Sequence, residues 1–219
     1  MPRYPRLVVP GLPHHATQRG IRKKRTFFKA LDYLTYLELV REHKDKAGVA
    51  IWAYCLMPNH IHMVIVPESE SSLAKFLGPV HCKYATKLNA THGWSGHLWQ
   101  QRFYSVPMDE RHTLAALRYV ELNPVRAGLC KNPEEWRWSS ARANVGCGAD
   151  DLVDTVATKS IVSDWSAFLE ETTPAAVQDE LRAQTRTGRP GGDDEFIEML
   201  EAKTRRTIRK QRTGPDKRS

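Results

Sequence analysis

Hydrophobic and polar positions alternate along the first half of the chain in a way that predicts seven elements. The stretch "LVVPGLPHHATQRG" (7–20) reads as a strand interrupted by prolines and ended by Gly20. Leu31, Leu34, Leu37 and Val40 recur at helical spacing, with Gly48 as the stop. "VAIWAYCL" (49–56) is rich in β-branched and aromatic residues, and "HIHMVIV" (60–66) follows after Met57-Pro58-Asn59 alone. So short a link predicts an antiparallel hairpin. Ser71 and Ser72 can cap a helix carrying Leu73, Phe76, Val80, Tyr84 and Leu88, with a kink at Pro79. "HLWQQRFYSVPM" (97–108) reads as a strand. Asp109 caps a last helix, "ERHTLAALRYVELN", which Pro124 closes.

The first six elements follow the order strand, helix, strand, strand, helix, strand. That is the ferredoxin-like, split βαβ pattern of an α+β fold: a central antiparallel sheet with helices on one face. The opposite face is then free to carry a site, and the first and last strands flank each other at the sheet centre. Beyond residue 145 the text changes. "GCGADD" and "TRTGRPGGDD" are loop-like, and short helices are expected around Val162–Glu171 and Asp194–Arg212. The expected organisation is a domain at 1–145 and a helical, partly flexible C-terminal extension at 146–219.

Charge adds a partner to this picture. The 219 residues carry a formal charge of +8, which favours a polyanion, nucleic acid before a membrane surface. The cations gather at the ends. Arg19, Arg22, Lys23, Lys24 and Arg25 lie in a first segment without acids, and Arg205 and Arg206 lie in a basic tail running from Lys203 to Ser219. Basic arms of this kind suit a phosphate backbone, although solvated tails look the same. Cys55, Cys82, Cys130 and Cys147 form no CxxC pair, which gives a zinc finger no support. The chain has neither a signal-peptide pattern nor a transmembrane run, so a soluble, cytoplasmic protein with reduced thiols is expected.

The chemistry centres on His60 and His62. On a strand, residues two apart share a face, so both imidazoles point one way while Ile61, Met63 and Ile65 point into a core. Two neutral nitrogens side by side suit a metal ion; two solvated histidines are the other reading. On the last helix Tyr119 and Asn123 are one turn apart, away from the stripe of Leu114, Leu117 and Val120. A phenol can attack phosphorus and form a covalent link; Tyr119 could equally pack at an interface and Asn123 merely end the helix. Gln18, Arg19, Gln100, Gln101, Arg102 and, on the second helix, Lys83 could hold phosphates or bases. Trp94, Trp99, Phe103 and Tyr104 interleave with them, as in single-strand binders, though core packing is the commoner role.

Taken together, "MPNHIHMVIVP", "WQQRFYS", "LRYVELNPVRAGL" and "WRWSSA", with "GLPHHATQRG" at the start, resemble the REP-associated tyrosine transposases. These belong to the HUH superfamily of single-strand DNA nucleases, and the resemblance covers about residues 1–145. It implies that His60 and His62 are the metal pair, that Asn123 completes their site, and that Tyr119 is the nucleophile. It also implies Mg2+ or Mn2+ as cofactor, hairpin DNA of repeated extragenic palindromes as substrate, and a 5′-phosphotyrosine intermediate. Magnesium prefers oxygen ligands, whereas two imidazoles suit manganese. In related enzymes the tyrosine helix can serve a partner's histidines, so a homodimer is possible. A non-catalytic hairpin-binding regulator and a water-using phosphodiesterase are the alternatives.

Overall fold

The computed structural model describes residues 6–209. Four strands form one antiparallel sheet: β1 (His14–Arg19), β2 (Val49–Met57), β3 (His60–Pro67) and β4 (Tyr104–Pro107). Their order is β2-β3-β1-β4. β1 and β4 do pair, but β4 is the edge and β3 with β1 makes the centre. The expected strand at 97–108 shrinks to its last third. Its first part is irregular, yet Gln100 N donates to Arg19 O at 2.8 Å, an ordinary bond length, and keeps it beside β1.

One sheet face packs against α1 (Ala30–Lys44) and α2 (Ser72–His92). Ala16, Leu56, Ile61, Met63 and Ile65 from the sheet meet Tyr36, Phe76, Val80 and Tyr84 from the helices there. The phase of α1 differs from its leucine pattern. Leu31 and Leu34 are exposed, and Tyr33, Tyr36, Leu39 and Val40 are buried. Aromatic volume, not the leucine count, chose the face, because Tyr33 stacks on Phe27 and Tyr36 meets it edge-on. α2 runs through Pro79 as one helix.

The second face is covered rather than free. α3 (Glu110–Glu121) lies on it, followed by the one-turn α4 (Asn123–Arg126). Pro124 does not end the helical path. It sits in the first turn of α4, where its missing N–H costs nothing. Beyond α5 (Ala141–Asn144), the extension folds into α6 (Thr155–Ile161), α7 (Trp165–Glu170), α8 (Ala175–Thr187) and α9 (Asp194–Thr204). The helix expected at 162–171 is thus displaced into α6 and α7, α8 occupies a stretch not read as helix, and α9 stops at Thr204; Arg212 lies outside the described residues. Trp165, Phe168, Val177 and Leu181 share one core with Ala53, Val64, Leu117 and Val120. Among the described residues, that core draws on both sides of residue 145.

Candidate active site

Strand alternation puts His15, Thr17 and Arg19 of β1 on the same face as His60 and His62 of β3. Arg19 is the register partner of His60, and Thr17 of His62. The two imidazoles of β3 are perpendicular, with ring centroids 4.9 Å apart. His60 Nδ1 donates to Asn59 Oδ1 at 2.6 Å, since an amide oxygen only accepts. That leaves the lone pair on His60 Nε2. His62 Nδ1 is 2.9 Å from His15 Nε2, and the two rings stack. His62 Nε2 is buried and has no hydrogen-bond partner.

Burial keeps these rings neutral. It lowers His60 to about 4, with Arg19 adding to the effect. It lowers His15 to about 4. It holds His62 well below the usual histidine range, helped by His60, His15, Arg19 and Arg126. Neutral imidazole is the form that ligates metal.

Tyr119 arrives from α3. Its ring meets His62 edge-on at 5.5 Å and His15 at 6.2 Å. The Arg126 guanidinium lies 4.0 Å over the Tyr119 ring and also donates to the Tyr119 carbonyl. Burial lowers Arg126, and Tyr119 opposes this. Arg182, on α8, faces the phenol and Asp179; the hydrogen bond to Tyr119 is the first cause of its raised pKa. Asn123, one turn on, is buried, and its Nδ2 has no partner. Rotating that carboxamide would place its oxygen at the same position.

The residues fit a divalent ion on these grounds. His60 Nε2 and His62 Nε2 have no competing hydrogen bond, and Asn123 offers a buried amide. Among the described residues no three His, Cys, Asp or Glu side chains group as a metal site, so a third protein donor would be an amide.

α3 is held in place by Glu121. This fully buried carboxylate accepts from Ser140 Oγ at 2.5 Å, Asn144 Nδ2 at 2.7 Å and Trp165 Nε1 at 2.6 Å. Burial nevertheless pushes it up to about 7. Arg118 adds a second tie, donating to the Phe168 carbonyl at 2.7 Å. The extension therefore sets the position of Tyr119.

The other expected contacts divide. Arg19, Gln100 and Arg102 are exposed, as are Arg22, Lys23, Lys24 and Arg25 in the loop after β1. Gln18 does not join them: alternation turns it to the opposite face, where it is buried and donates to the Gln101 carbonyl at 3.0 Å. Lys83 lies on α2, on the far side of the sheet, and pairs with Glu42 at 2.9 Å. Arg205 follows α9 in a left-handed conformation, and Arg206 donates to the Arg6 carbonyl at 3.1 Å. His15, Glu121, Arg126 and Arg182 were not singled out in the sequence. Arg126 lies two helical turns after Tyr119 and was findable by spacing; Arg182 has no local signal.

Among the described residues, no helix is long and apolar enough to cross a membrane. A Haemophilus influenzae protein that carries the name of a REP-associated tyrosine transposase is 28% identical over 116 residues; the match takes in 48% of this chain and 64% of that protein's length. A REP-associated tyrosine transposase of Escherichia coli is 22% identical over 151 residues, covering 66% of this chain and 89% of that one. In three dimensions the chain is similar to a REP-associated tyrosine transposase bound to a REP hairpin. The TM-score is 0.53 at 19% identity, over 70% of this chain and 94% of that one, a likeness of fold. The family profile described as "Transposase IS200 like" matches residues 12–123, just over half of the chain, and the chain belongs to that transposase family.

Proposed function

We propose that this protein is a metal-dependent single-strand DNA endonuclease and strand transferase, acting on hairpin DNA through a 5′-phosphotyrosine intermediate. One observation carries the reading: the Tyr119 ring stands against His62, whose buried Nε2 has no partner in the fold. A bound Mn2+ or Mg2+ would polarise the scissile phosphate there, with His60, His62 and Asn123 as its protein ligands. Two imidazoles favour manganese.

The chain's own residues supply the rest. The Tyr119 oxygen attacks phosphorus and gives up its phenol proton; the bond to the 3′ oxygen breaks, and that oxygen takes up one proton in return and leaves as a hydroxyl. Arg182 and Arg126 both stand at Tyr119, where their cations can pair with the scissile phosphate. The new phosphotyrosine bond conserves the energy of the broken one, so the 3′ hydroxyl can reverse the reaction. The Tyr119 ring meets His62 of its own chain, which supports a site whose tyrosine and histidines come from one chain.

The test uses a hairpin with a single-stranded flank and Mn2+. Wild type should yield a covalent protein–DNA adduct on a denaturing gel, and Tyr119→Phe should yield none. Equal cutting by both would remove Tyr119 as nucleophile. Cutting without an adduct would favour a water-using phosphodiesterase. Hairpin binding without cutting, indifferent to EDTA, would favour a non-catalytic regulator.

A further inference from the structure

Four aromatic residues lie in the stretch from 94 to 104, and three are engaged by neighbouring groups of the fold. Trp99 Nε1 donates to the His81 carbonyl at 2.9 Å. Phe103 is buried under the Arg6 guanidinium at 3.6 Å. The Tyr104 hydroxyl donates to Gln101 Oε1 at 3.1 Å. Trp94 differs, with 48% of its surface exposed. It is nonetheless firmly held. Gly93 ends α2 with a φ of +64°, and Trp94 N donates to Asn89 O at 2.8 Å.

Two further exposed rings join it. His92 stacks on Trp94, with centroids 4.3 Å apart and planes 19° from parallel. Phe28, 40% exposed, lies 5.6 Å from Trp94 and 5.1 Å from His92. Single exposed aromatics need no explanation. Three held together do.

The surroundings say what would cover them. Phe28 ends the loop that carries Arg22, Lys23, Lys24 and Arg25, and Lys29 follows it; all are exposed. Arg22 and Lys23 adopt left-handed backbone conformations that side chains seldom accept. The loop is bound to the turn before His60: Gly20 N donates to Asn59 O at 2.9 Å, Thr26 N to Pro58 O at 2.8 Å, and Asn59 Nδ2 to Lys23 O at 3.0 Å. A cationic path thus leaves the histidine pair and ends at the rings. Cations call for phosphates, and flat rings call for open π faces. Duplex DNA closes its base faces by stacking; an unpaired strand leaves them open.

We propose that Phe28, His92 and Trp94 form a stacking platform for an unpaired nucleotide of the DNA strand, guided there by Arg22 to Arg25. This rests on the reading of the protein as a DNA enzyme, but it involves neither the metal nor Tyr119.

The experiment measures binding of the full chain, in EDTA, to a fluorescein-labelled hairpin with a single-stranded flank and to the same hairpin made blunt. Trp94→Ala should weaken binding of the flanked hairpin about 5- to 150-fold, the range for one stacked base. The blunt hairpin and the salt dependence should keep wild-type values. Trp94→Phe, which keeps a ring, should recover most of the loss, and thermal melting should be unchanged in both variants. Lys23→Ala with Lys24→Ala should behave in the opposite way, weakening both hairpins and flattening the salt slope by about 1.5. No loss from Trp94→Ala, or equal loss on both hairpins, would overturn the platform. If the unsubstituted protein bound neither hairpin, the DNA reading itself would fail and the platform with it.

Discussion

The two faces of β3 are one residue apart along the chain and opposite in their chemistry. Ile61, Met63 and Ile65 enter a dry core against α1 and α2. His60 and His62 point the other way, where the Tyr119 ring meets His62 and His62 Nε2 is buried without a partner. Burying a polar atom unpaired costs on the order of 1–3 kcal/mol. The apolar face supplies the stability against which such an atom can be kept. The division teaches that the strand holds the fold with one set of side chains and the candidate site with the other.

Substitutions on the two faces should therefore separate activity from stability. The largest effect is expected from His60→Ala: nicking should fall at least about a hundredfold, as the loss of several kcal/mol of charge stabilisation requires. The urea midpoint should scarcely move, because His60 is only half-buried. A large drop in stability with normal nicking would reverse the roles assigned to the faces. Met63→Ala should do the converse, removing about 2–5 kcal/mol of stability, with wild-type nicking at temperatures where the variant stays folded.

Acid should strain both faces. Burial lowers His14, His15 and His60 to about 4 and His81 to about 3. The unfolded chain then binds more protons than the folded one between pH 6.5 and 4, so stability is lost as pH falls through that window. Glu121, raised to about 7, has the opposite sign: its contribution is present below pH 4.5 and is lost as pH rises to 7. With these four histidines and His62, which is also held low, against one glutamate, urea midpoints should decline from pH 6.5 to pH 4. A midpoint that rises over that range would show that the histidines are not held neutral.

Glu121→Gln should cost about 1–3 kcal/mol despite its matching shape, since the new amide N–H2 must face one of three donors. Chemical denaturation would measure it, and an unchanged midpoint would mean that the network does not hold α3. The smallest effect is expected from Arg182→Ala, on the exposed rim. An exposed pair is worth up to about 1 kcal/mol, so adduct formation should slow less than about fivefold. A hundredfold loss would make Arg182 a principal catalytic group and not an accessory one.

The sequence carried much of this by short-range rules. Period-two alternation around His60 and His62, the Met57-Pro58-Asn59 turn and the Asp109 cap are local, and the hairpin and α3 follow from them. Local rules failed where packing chose among alternatives. Tyr33 and Tyr36 outbid Leu31 and Leu34 for the core through their volume. Gln18 turned inward because β1 has only two faces and Arg19 took the other.

What the sequence by itself determined is the kind of chemistry: two imidazoles on one strand face, a phenol and an amide one helical turn apart, and cations at the ends. The tertiary structure decided that they meet. Only it brought His15 to His62 across β1 and β3, Glu121 to Trp165, and Arg182 to Tyr119. The physical reason is separation along the chain. A residue's neighbours within a turn or a pleat are fixed by backbone geometry, whereas partners forty or sixty residues away are fixed only when the whole core closes and selects one register and one helix face.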